Sequence, residues 1–504
     1  MRAPLPPKPR RWPGPERPAA PVAATAVLAA AALGAFAIPL DRSGLGWLVA
    51  AVAAVAAVAV AGRPVATAST QADVTAPASD PVGWYLWAAA TVALLGVGTV
   101  RAAGWLFLLC LLTSLLTGAL AVLRGRSVLA LGFGIGTSPV AAVRGLAWLS
   151  RGAAAFRRVR GTVPRARVAA PIGIAFALLL VFGALFASAD AAFARLLSEV
   201  VPDLTFWTVF RWLMLLPVIA AMLAAAAFLK AAPPRTADLD EPRYQPVRRL
   251  EWVIPLTALD LLFGAFVLVQ SAVLFGGERH VLTTAGLTYA QYARSGFWQL
   301  LVVTGLTLLV LAGAVRWAPR ADEGDRTVVR VLLGVLAGLT LVIVASALYR
   351  MVVYADAYGL TRLRVLVFAC ELWLGTIFVM VLVAGIRLRA PWLPRAVVAA
   401  GVFALLSLAA VDPDRTIAAW NLDHGKVDVV YLRDLSADAV PALDRAPASL
   451  RACLLSHNAE GLARRPDDWR GFNLARDRAR AILAARPVAY GVTSCYRPSG
   501  PRPR

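Results

Sequence analysis

Residues 346–374 read SALYRMVVYADAYGLTRLRVLVFACELWL. Ser346, Arg350, Tyr354 and Tyr358 recur at every fourth position, which places them on one face of a helix. Gly359 can take the left-handed conformation that closes such a helix, and Thr361 can cap the next one. The stretch therefore predicts two helices joined by a tight turn. Outward from the turn, apolar residues run back to residue 328 and on to residue 386. Each run is long enough, at about 1.5 Å per residue, to cross ~30 Å of hydrocarbon. The motif reads as a helical hairpin whose Arg and Tyr side chains sit at head-group depth, an aromatic belt with snorkelling arginines. Glu371, well inside the second helix, is not explained by that reading.

The rest of the chain repeats the pattern. Of 504 residues, 59% are hydrophobic and 16% charged, whereas soluble domains carry about 25% charge. Runs of spanning length are expected near 21–40, 44–62, 82–100, 103–123, 169–189, 205–229, 252–275, 297–317, 328–349, 363–386 and 392–411. The first two are rich in alanine, which favours insertion less than Leu, Ile, Phe or Val does. The expected fold is all-α: a polytopic transmembrane bundle of about 11 spans, residues 21–411, followed by a small, mainly helical domain at 412–504. Residues 1–20, rich in Pro and Arg, are expected to be a disordered basic arm. A cleaved signal peptide ending near Ala35-Phe36-Ala37 competes with a retained first anchor.

The net charge of +22 is almost entirely Arg, since Lys8, Lys230 and Lys426 are the only lysines. These charges are scattered between apolar runs with no basic stripe interleaved with aromatics, which argues against a nucleic-acid partner. They set topology instead. Arg124, Arg126, Arg144, Arg151, Arg157, Arg158, Arg160, Arg165 and Arg167 crowd one connection, whereas the alternate connections carry few basic residues. The asymmetry predicts a cytoplasmic N-terminus and, with an odd number of spans, an extracytoplasmic C-terminus. An oxidising compartment then permits a Cys453–Cys495 disulfide in the tail.

Recognised chemical motifs are few. The cysteines at 110, 370, 453 and 495 have no metal-ligand spacing, so neither metal nor cofactor is expected. Gly132, Gly134 and Gly136 lack the strand and following acid of a dinucleotide fingerprint and read as helix-packing glycines. No Ser/His/Asp triad, HExxH, Walker loop or catalytic carboxylate pair can be assembled from local spacing, which argues against an enzyme. Residues 127–161 could instead lie along the membrane surface as an amphipathic helix, with basic residues toward lipid head groups.

Two polar groupings stand out. Glu371 and Arg211 each lie about two turns inside spans entered from the same side and are expected to pair, while Asp260 is expected to pair with Arg330. These four form a candidate intramembrane network. The second grouping is a candidate outer-face site of Arg350, Tyr354, Asp356, Tyr358, Tyr289, Tyr292 and Arg294.

The strings TYAQYARSGFWQL, SALYRMVVYADAYGLTRLR and VDPDRTIAAWNLD, in that order, resemble the signature blocks of a bacterial integral-membrane family, domain of unknown function 4153/4173. The resemblance covers roughly residues 80 to 450. It implies a polytopic bacterial inner-membrane protein and brings no catalytic or ligand residues. The expected role is a non-enzymatic, membrane-embedded binding or regulatory component whose partners are the bilayer and an extracytoplasmic protein or lipid ligand. A transporter or channel using the intramembrane charges is the alternative, and an outer-leaflet lipid-linked transferase a weaker one.

Overall fold

The structure is a computed structural model. It describes residues 12, 15, 18–62, 81–123, 128–159, 206–234, 248–275, 297–317, 322–387 and 390–488, with scattered residues between 175 and 193. Every described element is helical: α1 (Pro21–Ala37), α2 (Leu45–Ala61), α3 (Pro81–Val100), α4 (Gly104–Val122), α5 (Val128–Gly136), α6 (Ser138–Val159), α7 (Phe206–Ala231), α8 (Arg249–Phe275), α9 (Phe297–Trp317), α10 (Glu323–Tyr358), α11 (Arg362–Arg387) and α12 (Leu393–Val411). The tail adds α13 (Pro413–Asp423), α14 (Val429–Arg433), α15 (Val440–Leu443), α16 (Ala448–Arg464) and α17 (Leu474–Ala485), with a short 3₁₀ turn at Ala437–Ala439.

Among the described residues, seven helices are long and apolar enough to cross a membrane, namely α3, α4, α7, α8, α10, α11 and α12. The protein is a multi-pass membrane protein. Two of the other expected spans, Pro21–Ala37 and Leu45–Ala61, are shorter apolar helices, and their seventeen residues reach only about 26 Å, just under the ~30 Å of hydrocarbon. The described apolar stretch of α9 is Gln299–Val315. The span expected at 169–189 lies largely outside the described residues.

The contacts divide the chain into two compact units: Met1–Asp238 with Arg465–Asp477, and Leu239–Arg464 with Arg478–Arg504. Residues 412–464 group with the second unit's helices and residues 465–477 with the first unit's.

In the first unit, α1 and α2 pack closely at Gly46, and α3 and α4 are tied by a 2.8 Å hydrogen bond between the Thr91 and Thr117 hydroxyls. On α6, Ala141, Gly145, Trp148 and Gly152 form the buried face. A Cβ on Gly145 would stand 2.4 Å from the Ala224 carbonyl oxygen of α7, and one on Gly152 would stand 2.1 Å from that of Ala19. The helix expected along the membrane surface is therefore seated on protein along one face. Its other face leaves Val140, Val143 and Leu146 exposed. Small residues on a helix permit this close backbone approach.

The N-terminal arm is tied down at Trp12. Its indole N–H donates to the Ala232 carbonyl at 2.7 Å, and its ring meets Phe228 edge-on at 5.6 Å. The Arg144 guanidinium lies 4.8 Å over the same ring. Residues 1–11 lie outside the described set.

At the opposite ends of these helices, residues 465–477 form a strap. Leu45 and Gly46 donate their N–H groups to the Phe472 and Arg470 carbonyls, at 3.0 and 2.9 Å. Asp467 accepts from Arg42 and Arg476 at 2.8 Å each. Asn473 donates to the Gly98 and Arg101 carbonyls, 2.8 Å each, which satisfies acceptors left open where α3 ends. The 38–44 connection, the 98–103 connection and the strap thus share one side of this unit.

In the second unit, α8 and α10 run parallel in fixed register. Arg249 meets Asp325 at 3.3 Å and Gln270 donates to Ser346 at 3.0 Å. The same sequence offset separates both pairs. Between them, Trp252, Leu256 and Phe263 form a core with Leu336, Ile343 and Phe378. In the tail, Arg451 bonds Asp444 at 2.8 Å and the Arg486 carbonyl at 2.7 Å.

Cys453, in α16, is disulfide-bonded, and Cys110 and Cys370 are free. Cys495 lies outside the described residues. Peptide mapping of unreduced protein is expected to recover Cys453 linked to Cys495. Alkylation of both thiols in native membranes would refute that pairing.

Candidate functional site

The turn that opens the sequence reading is the best-built polar site in the second unit. Gly359 ends α10 at φ 85°, the left-handed region in which a side chain is strained. Its N–H closes on the Ala355 carbonyl at 2.8 Å, and Thr361 Oγ1 accepts from the Arg364 N–H at 3.4 Å at the start of α11. These are the two capping roles expected from sequence.

The turn is clamped by α13. Asn421 Oδ1 accepts from the Leu360 N–H at 2.8 Å, and Asn421 Nδ2 donates to the Leu360 carbonyl at 2.9 Å. One side-chain amide thereby satisfies both backbone polar groups of Leu360, the N–H and the carbonyl, which belong to adjacent peptide units. Two turns earlier on the same face of α13, Asp414 receives a bidentate pair from Arg362, Nε at 2.9 Å and Nη2 at 2.6 Å. The Ser436 N–H adds a third bond to Asp414 at 2.9 Å. The Arg362 N–H donates to the Tyr431 hydroxyl at 2.6 Å. Asp414 is wholly buried. Burial alone would raise its carboxyl, but the bonds from Arg362 and Ser436 hold it below its ordinary range. Burial pushes the Tyr431 phenol up.

Asp412 makes the geometry possible. It is the only described non-glycine residue at positive φ, 60°, and its side chain caps α13 by accepting from the Arg415 N–H. The chain turns sharply there, out of α12 and into α13.

The expected outer-face residues are partly assembled. Arg364 reaches back to the Gly359 carbonyl and lies 4.2 Å over the Tyr354 ring. Tyr358 packs on Tyr354 at 5.0 Å and, like Asp356, stays exposed. Arg350 donates to Gln270 on α8. Tyr289, Tyr292 and Arg294 lie outside the described residues. Sequence reading gave no role to Arg362, Asp414, Asn421 or Tyr431. The available signal was the seven-residue spacing of Asp414 and Asn421, which places both on one helix face.

Among the described residues, Asp260 does not meet Arg330, and no hydrogen-bond partner reaches either oxygen of Glu371, which is 1% exposed, or either oxygen of Asp260. The α8–α10 register explains the first of these: Arg330 falls opposite Ile254, roughly 9 Å along the axis from Asp260, and is exposed. Arg211 belongs to the first unit, where Arg470, Asp41 and Asp468 act on it electrostatically.

The family model for a domain of unknown function, DUF4153, matches residues 89–446. The chain belongs to the DUF4153 family. No curated protein and no solved structure matches it. The DUF4153 region contains both halves of the clamp, α11 with its preceding turn and the tail through Ser436. Two of the sequence blocks that carried the resemblance, 346–364 and 411–423, are therefore in direct contact.

Proposed function

We propose that this DUF4153 protein is a non-enzymatic, membrane-embedded binding or regulatory component whose recognition surface is the α10–α11 turn together with the tail. The observation that carries this reading is the reciprocal Leu360–Asn421 and Arg362–Asp414 clamp. Those polar groups bond one another and the neighbouring tail backbone, which supports reading them as a platform. Around them, Asp356, Tyr358, His424 and Lys426 remain exposed. The His424 ring stacks on Trp420 at 4.0 Å, giving the surface a rigid aromatic edge.

The platform is assigned to the extracytoplasmic side of a bacterial plasma membrane. The support is the arginine asymmetry of the connections. An alkaline-phosphatase fusion after residue 430 is expected to be active, and one within 145–165 inactive. The reverse result would place the platform in the cytoplasm and remove this reading. Ligand recognition is tested separately. Photo-crosslinkers at Tyr358 or His424 should capture a discrete lipid or protein species, and labelling no stronger than at the exposed Arg464 would count against a recognition surface.

A further inference from the structure

Glu371 lies nine residues into α11, about 14 Å from the turn at 1.5 Å per residue. It is 1% exposed and no described residue donates to either oxygen. Among the described residues, the neighbouring elements of the second unit offer no counter-charge at its depth. On α10, no charged residue occurs between Arg330 and Arg350, and Arg350 is committed to Gln270 on α8. On α12 the only charge is Arg395, near the helix start at the far end. Residues 297–315 of α9 carry none. On α13, Asp414 is held at the rim by Arg362. On α11 itself, Arg364 is turned back to Gly359 and Tyr354, and the adjacent titratable group is the Cys370 thiol.

A carboxylate enclosed in apolar surroundings without a donor is held there only together with a cation. A desolvated metal ion needs some six to eight oxygens if it is calcium and near-octahedral coordination if it is magnesium. Glu371 brings two oxygens, and the described residues contain no cluster of three or more His, Cys, Asp or Glu that would hold a metal. A proton needs only one of the two oxygens. We propose that Glu371 is an intramembrane proton-binding site that exchanges with solvent, a property distinct from the recognition surface and independent of it.

The test uses dicyclohexylcarbodiimide, an apolar reagent that modifies protonated carboxyls within membranes. The carboxyl O–H adds across one C=N bond and the acyl group then migrates to nitrogen, with nothing expelled. Membranes containing the full-length protein are treated, digested and mapped by mass spectrometry, with fragment ions separating Glu371 from Cys370. The Glu371 adduct is expected to exceed adducts at the exposed Glu323 and Asp423 by at least ~10-fold. It should decline as pH is raised, as the proton leaves. Sodium or calcium should protect no better than choline at equal ionic strength. An unmodified Glu371, or labelling equal to that of the exposed acids, would overturn the proposal. Labelling that ignores pH would mean a sealed acid without exchange, and protection by sodium or calcium would mean a metal site, so either also overturns it. Because the measurement is made on wild-type protein, it does not depend on a variant folding.

Discussion

Arg362→Ala is expected to release the tail from the α10–α11 turn and to cost about 3 kcal/mol of stability in solubilised protein. Removing one member of a buried ion pair costs roughly 3–5 kcal/mol, because the other charge is left without compensation. The lower end applies here, since the Arg362 side chain is 33% exposed whereas that of Asp414 is 0%. Arg362→Lys should recover little, because a single ammonium cannot make the two parallel bonds to Asp414. The double variant Arg362→Met with Asp414→Leu should recover a large part of the loss, as an apolar pair often substitutes for a buried ionic one. Protease accessibility of residues 424–448 and thermal unfolding both report the effect. Equal stabilities for Arg362→Ala and wild type would mean that the clamp is not formed.

The same pair sets an acid limit. Asp414 is held below its ordinary value when folded, so its contribution is fully present above the unfolded carboxylate range near pH ~4. It is lost as pH falls through the lower folded value. Acid release of the tail should therefore be shallower in Arg362→Ala, which has less of that contribution to lose. An identical acid transition in the two proteins would contradict the assignment.

The second large effect is expected at Gly46. A Cβ there would stand 1.9 Å from the Ala37 carbonyl oxygen and 2.8 Å from its carbon. Both are backbone atoms, so no flexible side chain can yield and the α1–α2 hairpin must open. Overpacking of this kind costs ~1–3 kcal/mol and occasionally more, and Gly46→Val adds two further methyl groups. The strap should loosen in the same variant, because the Gly46 N–H is bonded to Arg470. Gly118→Ala is the matched control: the nearest atom to its added Cβ is Thr91 Oγ1 at 3.9 Å, which is ordinary contact. Gly46→Val is expected to unfold at a clearly lower temperature than Gly118→Ala. Coincident transitions would show that α1 and α2 do not approach as described.

How far sequence reached can be judged element by element. The spacing of Ser346, Arg350, Tyr354 and Tyr358 with Gly359 and Thr361 defined the hairpin, because helix periodicity, a left-handed stop and a cap are local properties written in adjacent residues. The apolar runs defined the multi-pass architecture for the same reason: hydrocarbon thickness translates directly into a residue count. Partnership was less legible. Depth alone suggested Arg330 for Asp260, but the α8–α10 register, fixed by contacts at Arg249–Asp325 and Gln270–Ser346, displaces Arg330 by more than a helical turn. Depth likewise suggested Arg211 for Glu371, yet neighbours in the fold decide pairing, and Glu371 has no described donor.

The tail shows the division most clearly. Its composition alone marked residues 412–504 as distinct from the membrane spans. Nothing local to VDPDRTIAAWNLD announces that Asp414 will meet Arg362, 52 residues earlier, or that Asn421 will close the peptide at Leu360. Sequence by itself determined the helices, their stops and their confinement to a bilayer, since each depends on interactions within a few residues or with the solvent. The tertiary structure alone decided which polar side chains answer one another and which, like Glu371, are left without a donor, because those outcomes depend on helix register and on segments far apart in the chain.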